Sequence, residues 1–145
     1  MGVVTSDNFS FTVPKGWTQS RDGDRVVMQD NAGSQIAISS CRLDPPSPAI
    51  LNEVLDNAFT AIRETAPAPE FETIDQLTER PTADGLRRWT MFSRSKDGRV
   101  LLTQAVFAVE SGVLLVTFES SANEPRHRGV STGFLGSIRR GTAGT

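Results

Sequence analysis

Three runs of apolar and β-branched residues, separated by two turn clusters, dominate the hydrophobic pattern between Leu86 and Ser120. The turn clusters are Lys96-Asp97-Gly98 and Glu110-Ser111-Gly112, and each places a glycine among polar residues, which favours reversal of the chain. The pattern therefore predicts an antiparallel meander of three strands. In the second and third runs apolar residues occupy both alternating positions, which is typical of central strands covered on both faces.

Four further strands are predicted on the N-terminal side of this meander. Each is closed by a cluster of proline, glycine, asparagine or aspartate, and their bounds are Asn8–Val13, Arg25–Gln29, Gln35–Leu43 and Phe71–Glu79. In the first of them, Phe9, Phe11 and Val13 alternate with polar residues, as expected of a half-buried strand. Asp22-Gly23 supplies a hairpin-type turn before the second strand.

Two amphipathic helices are predicted, one after the third strand and one after the meander. The first begins at Pro48, with Ser47 as its cap, and carries apolar residues at spacings of three and four as far as Ile62. The second begins at Pro125, and the residues of its apolar face are Val130, Phe134, Leu135 and Ile138.

The order of these elements predicts an α+β fold. About seven antiparallel strands form a central sheet with helices covering both faces, which is an α/β/α sandwich. Gly129, Gly133 and Gly136 weaken the second helix, and we expect these small residues to allow close approach to the sheet. Residues 1–145 form a single domain with an ordered core at about residues 8–140.

Composition limits the classes of function. The net charge of −2 argues against a general binder of nucleic acid, because affinity for phosphate backbones grows with the number of phosphates that basic residues neutralise. No apolar run approaches the length of about eighteen residues that predicts a membrane span, and the first thirty residues lack an apolar signal segment. We therefore expect a cytoplasmic protein; the alternative is an exported one whose leader is absent from this sequence.

Candidate catalytic residues are few. The single histidine, His127, excludes multi-histidine metal sites, and we interpret it as a solvated residue in the first turn of the last helix rather than a triad partner of Ser131. Cys41 has no CxxC partner and is interpreted as a small core residue. Phosphate-binding and EF-hand loops are missing from the sequence. We expect no enzyme activity, cofactor or metal.

A family resemblance runs through most of the chain. The strand Phe9–Val13 followed by Pro14-Lys15-Gly16-Trp17 resembles the opening of PsbP-like domains, and the strands at Gln104–Phe107 and Leu114–Phe118 also resemble that superfamily, including its DcrB and LpqN branches. The resemblance implies an α/β/α sandwich and a protein that is not an enzyme. Members include photosystem II extrinsic subunits, a fungal Ran-binding import factor, envelope lipoproteins, and Eag chaperones that hold type VI secretion effectors. The chain lacks a lipobox cysteine and a clear Eag N-terminal motif.

The leading hypothesis is a non-enzymatic protein-binding module that acts as a chaperone, adaptor or immunity-type protein. Its partner would be an effector or a complex subunit, engaged through an edge or face of the sheet. The residues predicted to bind it are Trp17, Arg87, Arg88, Trp89 and Arg94, because aromatic and arginine side chains are enriched in binding hot spots. Core packing is the alternative for both tryptophans. The competing functions are a carrier of a small apolar ligand or lipid, and a hydrolase built around Cys41 or His127.

Overall fold

The computed structural model describes residues 3–6, 9–23, 25–42, 53, 56–57, 60, 71–77, 87–109 and 112–140. The elements with defined bounds in these ranges are strands β1 (Val3–Ser6), β2 (Phe9–Thr12), β3 (Thr18–Asp22), β4 (Arg25–Gln29), β5 (Gln35–Arg42), β6 (Phe71–Leu77), β7 (Arg87–Ser95), β8 (Val100–Val109) and β9 (Gly112–Ser121), a C-terminal helix (Glu124–Ser137), and the short strand β10 (Arg139–Arg140). None of the described helical residues belongs to a helix long and apolar enough to cross a bilayer.

Seven strands form one antiparallel sheet in the order β3-β4-β5-β9-β8-β7-β6. This confirms the predicted α+β fold and its seven-stranded sheet. The meander is confirmed as β7, β8 and β9, and β9 and β8 lie in the middle of the sheet. Its first turn contains Gly98 with φ of 75°, a backbone conformation that glycine adopts without strain.

The first predicted strand belongs to a different sheet. β2 pairs with β1 and β10 in a separate three-stranded sheet, and β3 takes the seventh place in the main sheet. The chain changes direction between them, where Gly16 has φ of 86° and the Trp17 amide donates to the Pro14 carbonyl at 3.2 Å. An alternating pattern of apolar residues shows that a segment is a half-buried strand, but it does not identify the partner strand.

The main core lies between the sheet and the C-terminal helix. Phe9 and Phe11 of β2 enter this core beside Phe134 of the helix, and the Phe11 and Phe134 rings meet edge to face at 5.8 Å. Asn123 caps the helix, since its side-chain oxygen accepts from the Arg126 amide at 3.2 Å.

The helix glycines do not approach the sheet. Gly129, Gly133 and Gly136 are exposed, and a methyl group added at any of them would meet no atom within 4 Å. The expectation of close glycine packing was therefore wrong. Their spacing places them on the solvent side of the helix, where a small side chain brings no packing advantage.

The opposite face of the sheet, called the second face here, is also apolar in its central strands. Its buried residues are Ala37, Met91, Leu102, Val106, Ala108 and Val113. Of the first predicted helix, Glu53, Asp56, Asn57 and Thr60 are helical and exposed. Its predicted apolar face lies outside the described residues.

Candidate functional site

His127 is buried beneath the C-terminal helix, with 1% of its surface exposed. The interpretation of this residue as solvated was wrong. The apolar stripe of the helix explains the burial, because Phe134 and Ser131 lie on the sheet side at helical spacing and the same stripe continues back to His127. The sequence contained this signal, but it was missed because histidine counts as polar in a hydrophobicity pattern.

Two strands hold the imidazole. Its Nε2 lies 2.7 Å from Thr103 Oγ1 on β8, and its Nδ1 lies 2.7 Å from Ser120 Oγ on β9. The ring stacks on Phe118, with centroids 4.3 Å apart and planes 17° apart. Both ring nitrogens therefore have hydrogen-bond partners inside the protein, as buried polar groups require. These residues are called the His127 cluster below.

Both hydrogen-bond partners of the His127 ring are hydroxyl groups, which can donate or accept. Ser120 Oγ lies 2.7 Å from Nδ1 and 3.1 Å from the Ser121 carbonyl oxygen, so its single proton has two acceptors within reach. The directions of the Ser120 and Thr103 hydrogen bonds are set by the tautomer of the ring.

Electrostatics favour the neutral imidazole. Burial, assisted by the Arg128 cation, lowers the pKa of His127 from 6.5 to about 4, while Glu124 opposes this shift. Among its described contacts no carboxylate orients the ring. Ser131, which was not predicted to form a triad with His127, is buried one turn along the helix, and both ring nitrogens have other residues as hydrogen-bond partners.

Asp30, in the loop between β4 and β5, connects the start of the C-terminal helix to the sheet. Asp30 Oδ1 accepts from the Ala32 and Ser34 amides at 2.9 and 2.8 Å, and its Oδ2 lies 2.7 Å from Arg126 Nη2. Burial raises the pKa of Asp30, but these hydrogen bonds and the Arg126 charge outweigh it and hold the pKa below its ordinary value. The loop thus fixes the rim of the His127 cluster.

The five predicted binding residues do not form one patch. Trp17 is half-buried against the core on the helix side, with its ring 6.1 Å from Phe118. Arg88 and Arg94 register on the helix side of β7, whereas Trp89 registers on the second face, opposite Val106. Arg87 lies in β7, opposite Ala108, but its side chain lies outside the described residues. The side chain of Cys41 on β5 is likewise outside them.

Arg94 lines an open groove between the edge of the sheet and the start of the helix, with a volume of about 420 Å³. This Arg94 groove contains both signs of charge, and its main lining residues are Glu72, Arg94, Lys96, Asp97, Leu101 and Glu124. Arg94 pairs with Glu72 on the neighbouring strand at 3.2 Å, and both side chains are about half exposed.

Hydrogen bonds from the Ser95 side chain stabilise the β7–β8 turn, which lies at one end of the Arg94 groove. Ser95 Oγ donates to Asp97 Oδ1 at 2.6 Å and accepts from the Arg99 and Val100 amides at 3.0 and 2.9 Å. The bond from Ser95, followed by that from the Arg99 amide, lowers the pKa of Asp97. The neighbouring Lys96 is exposed and makes no ion pair with the described residues.

Exposed apolar side chains do not offer a second site. Ile74, at a bulge in the edge strand β6, and Leu115, on the second face of β9, are the large apolar residues with the most exposure in the described ranges. Strands β8 and β7 lie between them in the sheet. They are therefore isolated exposed residues rather than a contiguous patch.

The architecture matches solved structures of distant sequence. The solution structure of cyanobacterial PsbP (CyanoP) from Synechocystis sp. PCC 6803 superposes with a TM-score of 0.58 at 18% identity, covering 94% of this chain and 90% of that chain. The fold is PsbP-like. A crystal structure from Bacteroides thetaiotaomicron VPI-5482 superposes with a TM-score of 0.50 at 8% identity, covering 94% of this chain but only 46% of that one. No protein-family model matches the chain, and no curated protein matches its sequence.

In this PsbP-like domain the described residues include no group of three histidine, cysteine, aspartate or glutamate side chains placed to hold a metal ion. The candidate functional site is therefore the Arg94 groove, a surface of mixed charge, and the His127 cluster is the packed element beside it.

Proposed function

We propose that the protein is a non-enzymatic protein-binding module that works as a chaperone, an adaptor or an immunity-type partner of another protein, such as a secreted effector. The observation that supports this role is the contrast between the open, charged Arg94 groove and the closed interior beside the C-terminal helix. A surface of this kind suits the side chains of a protein partner, because interface rims are polar and accessible to water.

The closed interior argues against an apolar ligand beneath the C-terminal helix. The cavity beside His127 has a volume of about 10 Å³, which is close to the minimum that one water molecule needs. Pockets for drug-sized ligands enclose roughly 300–1,000 Å³. On this side of the sheet, side chains from both layers fill the space that a carried lipid would occupy.

The charges of the Arg94 groove indicate the chemistry of the partner. Arg94 is matched by Glu72, and Arg128 at the helix start is matched by Glu124 at 3.1 Å. Lys96 stays exposed without an ion pair among the described residues, so the groove offers one uncommitted cation. An acidic side chain of the partner would form an ion pair with Lys96. Charges at the rim of an interface mainly set the association rate and the selectivity for the partner.

The His127 cluster supports the non-enzymatic part of the proposal. Burial lowers the pKa of His127 to about 4, which makes it a weak base at pH 7, and none of its described contacts is a carboxylate that orients the ring. A histidine base in a nucleophilic hydrolase has a pKa nearer the working pH and is oriented by a third group.

Affinity capture from the native host tests the proposal, with Lys96→Glu as the groove variant and Lys15→Glu as its matched control. The two are the only lysines of the chain, and Lys15 is exposed in the turn after β2. We expect the wild-type and Lys15→Glu proteins to recover the same partner, and Lys96→Glu to recover markedly less of it. Circular dichroism and thermal unfolding establish that both variants are folded.

Two outcomes would contradict the proposal. Recovery of no specific protein by the wild type under mild conditions argues against a binding module. Equal recovery by wild type, Lys15→Glu and Lys96→Glu retains a binding module but removes the Arg94 groove as its surface.

A further inference from the structure

The edge strand β3 is exposed on both of its faces. Residues 18–21 are all exposed, and among the described strands β3 pairs with β4 alone. At the other edge of the sheet, β6 carries a bulge between Thr73 and Asp75, and bulges protect an edge from pairing with another chain. β3 has an unbroken register and contains neither proline nor lysine, so a further strand can pair with it.

The hairpin of β3 and β4 determines which backbone groups of β3 face outward. Asp22 pairs with Arg25, which leaves two residues in the turn, and Gly23 has φ of 62°, as the primed two-residue turns require. The closing pair of such a hairpin is hydrogen-bonded, and bonded and non-bonded pairs then alternate along the strands. The backbone amides and carbonyls of Gln19 and Arg21 therefore point away from β4, towards the place of a further strand.

The outward residues of β3 are complementary to a second copy of the same strand. In an antiparallel pair related by a two-fold axis, these residues must stand opposite one another. Gln19 opposite Arg21, about a central Ser20, uses all the outward groups and lets the Gln19 amide oxygen accept from the guanidinium. Arg21 opposite Arg21 places like charges together, which is destabilising, and Gln19 opposite Gln19 leaves Arg21 outside the strand pair.

Trp17 fits the same register. It is half-buried directly before β3 and lies on the helix side of the sheet, as Gln19 and Arg21 do, because both of these stand opposite core residues of β4. Gly23 of the second copy would stand opposite Trp17, and Arg21 of the second copy would lie diagonal to it. The guanidinium can then reach the indole ring without an intervening side chain, an arrangement that favours a cation–π contact.

We propose that two copies of this chain pair antiparallel through β3, about Ser20, and join their seven-stranded sheets into one. β3 and β6 are opposite edges of the sheet, so the contact leaves the Arg94 groove open and does not depend on the proposed function. The strand has five residues, so the interface is small and the dimer forms reversibly with concentration.

Sedimentation velocity over a range of protein concentrations tests this pairing. We expect the wild type to shift from monomer to dimer as the concentration rises. Gln19→Arg places two arginines opposite each other on both sides of the axis and should raise the dissociation constant by about tenfold. Gln19→Arg combined with Arg21→Glu sets arginine against glutamate and should restore the dimer. Gln29→Arg adds the same charge at an exposed position of β4, and this matched control should dimerise as the wild type does.

Arg21→Pro provides a second test, because it removes an amide that faces away from β4 and leaves the hydrogen bonds between β3 and β4 in place. We expect this variant to be monomeric and to retain the circular dichroism of the wild type. If it does not fold, the charge variants decide.

Three outcomes would overturn the inference. The first is a wild type that stays monomeric at millimolar concentration, and if Arg21→Pro then loses an affinity-captured protein, the edge belongs to that other protein. The second is a dimer that Gln19→Arg leaves unchanged, which places the contact on a different surface. The third is a combined variant that fails to restore the dimer, which refutes the pairing of Gln19 with Arg21.

Discussion

Acid should destabilise this protein through His127, because the folded state keeps that imidazole neutral. Burial, with a smaller effect of the Arg128 charge, lowers the pKa of His127 from 6.5 to about 4. Between these two values the unfolded chain binds a proton that the folded chain does not, so the free energy of unfolding falls as the pH falls. The difference between the two pKa values corresponds to about 3 kcal/mol of free energy of unfolding. This stability is fully present above pH 6.5 and is lost as the pH falls towards 4.

Urea unfolding followed by tryptophan fluorescence measures this effect, with His127→Gln as the control that cannot titrate. Asp30 and Asp97, whose pKa values are also lowered, titrate in both proteins and cancel in the comparison. From about pH 7.5 to pH 4.5 we expect the wild type to lose roughly 2–3 kcal/mol more stability than the variant. Parallel pH profiles for the two proteins would refute the reasoning.

A direct titration provides an independent check. The chain contains one histidine, so the Cε1 proton resonance in an NMR spectrum is assigned without ambiguity. We expect its midpoint near pH 4, or unfolding before the midpoint is reached. A reversible midpoint near 6.5 in the folded protein would show that the ring is solvated and that the His127 cluster does not form.

Three further predictions concern backbone and loop positions. In urea unfolding, Asp30→Ala should destabilise the protein by about 1–3 kcal/mol, because two backbone amides lose their acceptor. Arg126→Gln removes only a half-exposed ion-pair partner of Asp30 and should cost less than about 1 kcal/mol. Gly98→Ala should cost about 1–2 kcal/mol, since its φ of 75° strains any residue with a Cβ. Gly129→Ala should raise the free energy of unfolding by up to about 1 kcal/mol, and with it the unfolding temperature, because the site is helical and open. A loss at Gly129, or no loss at Gly98, would contradict these assignments.

The sequence was most informative where turn-forming residues flank a run of apolar residues that is as long as a strand. The β7–β8 turn is the clearest case, because Lys96-Asp97-Gly98 predicts a reversal and Gly98 has the positive φ that the reversal needs. The partner of a strand is harder to predict. The alternation in β2 fits either sheet, and its actual neighbours β1 and β10 have four and two residues, too short to give a strong pattern.

The His127 cluster was only partly predictable. Its helical spacing from Ser131 and Phe134 placed His127 on the buried side of the helix. The hydroxyls that make this burial tolerable come from Thr103 and Ser120, on two different strands. Their contribution depends on sheet register and on where the helix lies, and neither is contained in a local pattern.

The Arg94 groove illustrates the same limit for binding surfaces. Arg88 and Trp89 were grouped because arginine and aromatic side chains are enriched in binding hot spots, but as adjacent residues of one strand they point to opposite faces of the sheet. Arg94 finds its partner in Glu72, which is distant in sequence and neighbouring in register. A binding surface on a sheet should therefore be assembled first by alternation along each strand and then by register across strands. By that criterion Arg94 and Glu72 belong to one surface and Trp89 to another, so variants at Trp89 and at Lys96 should affect separable properties of the protein.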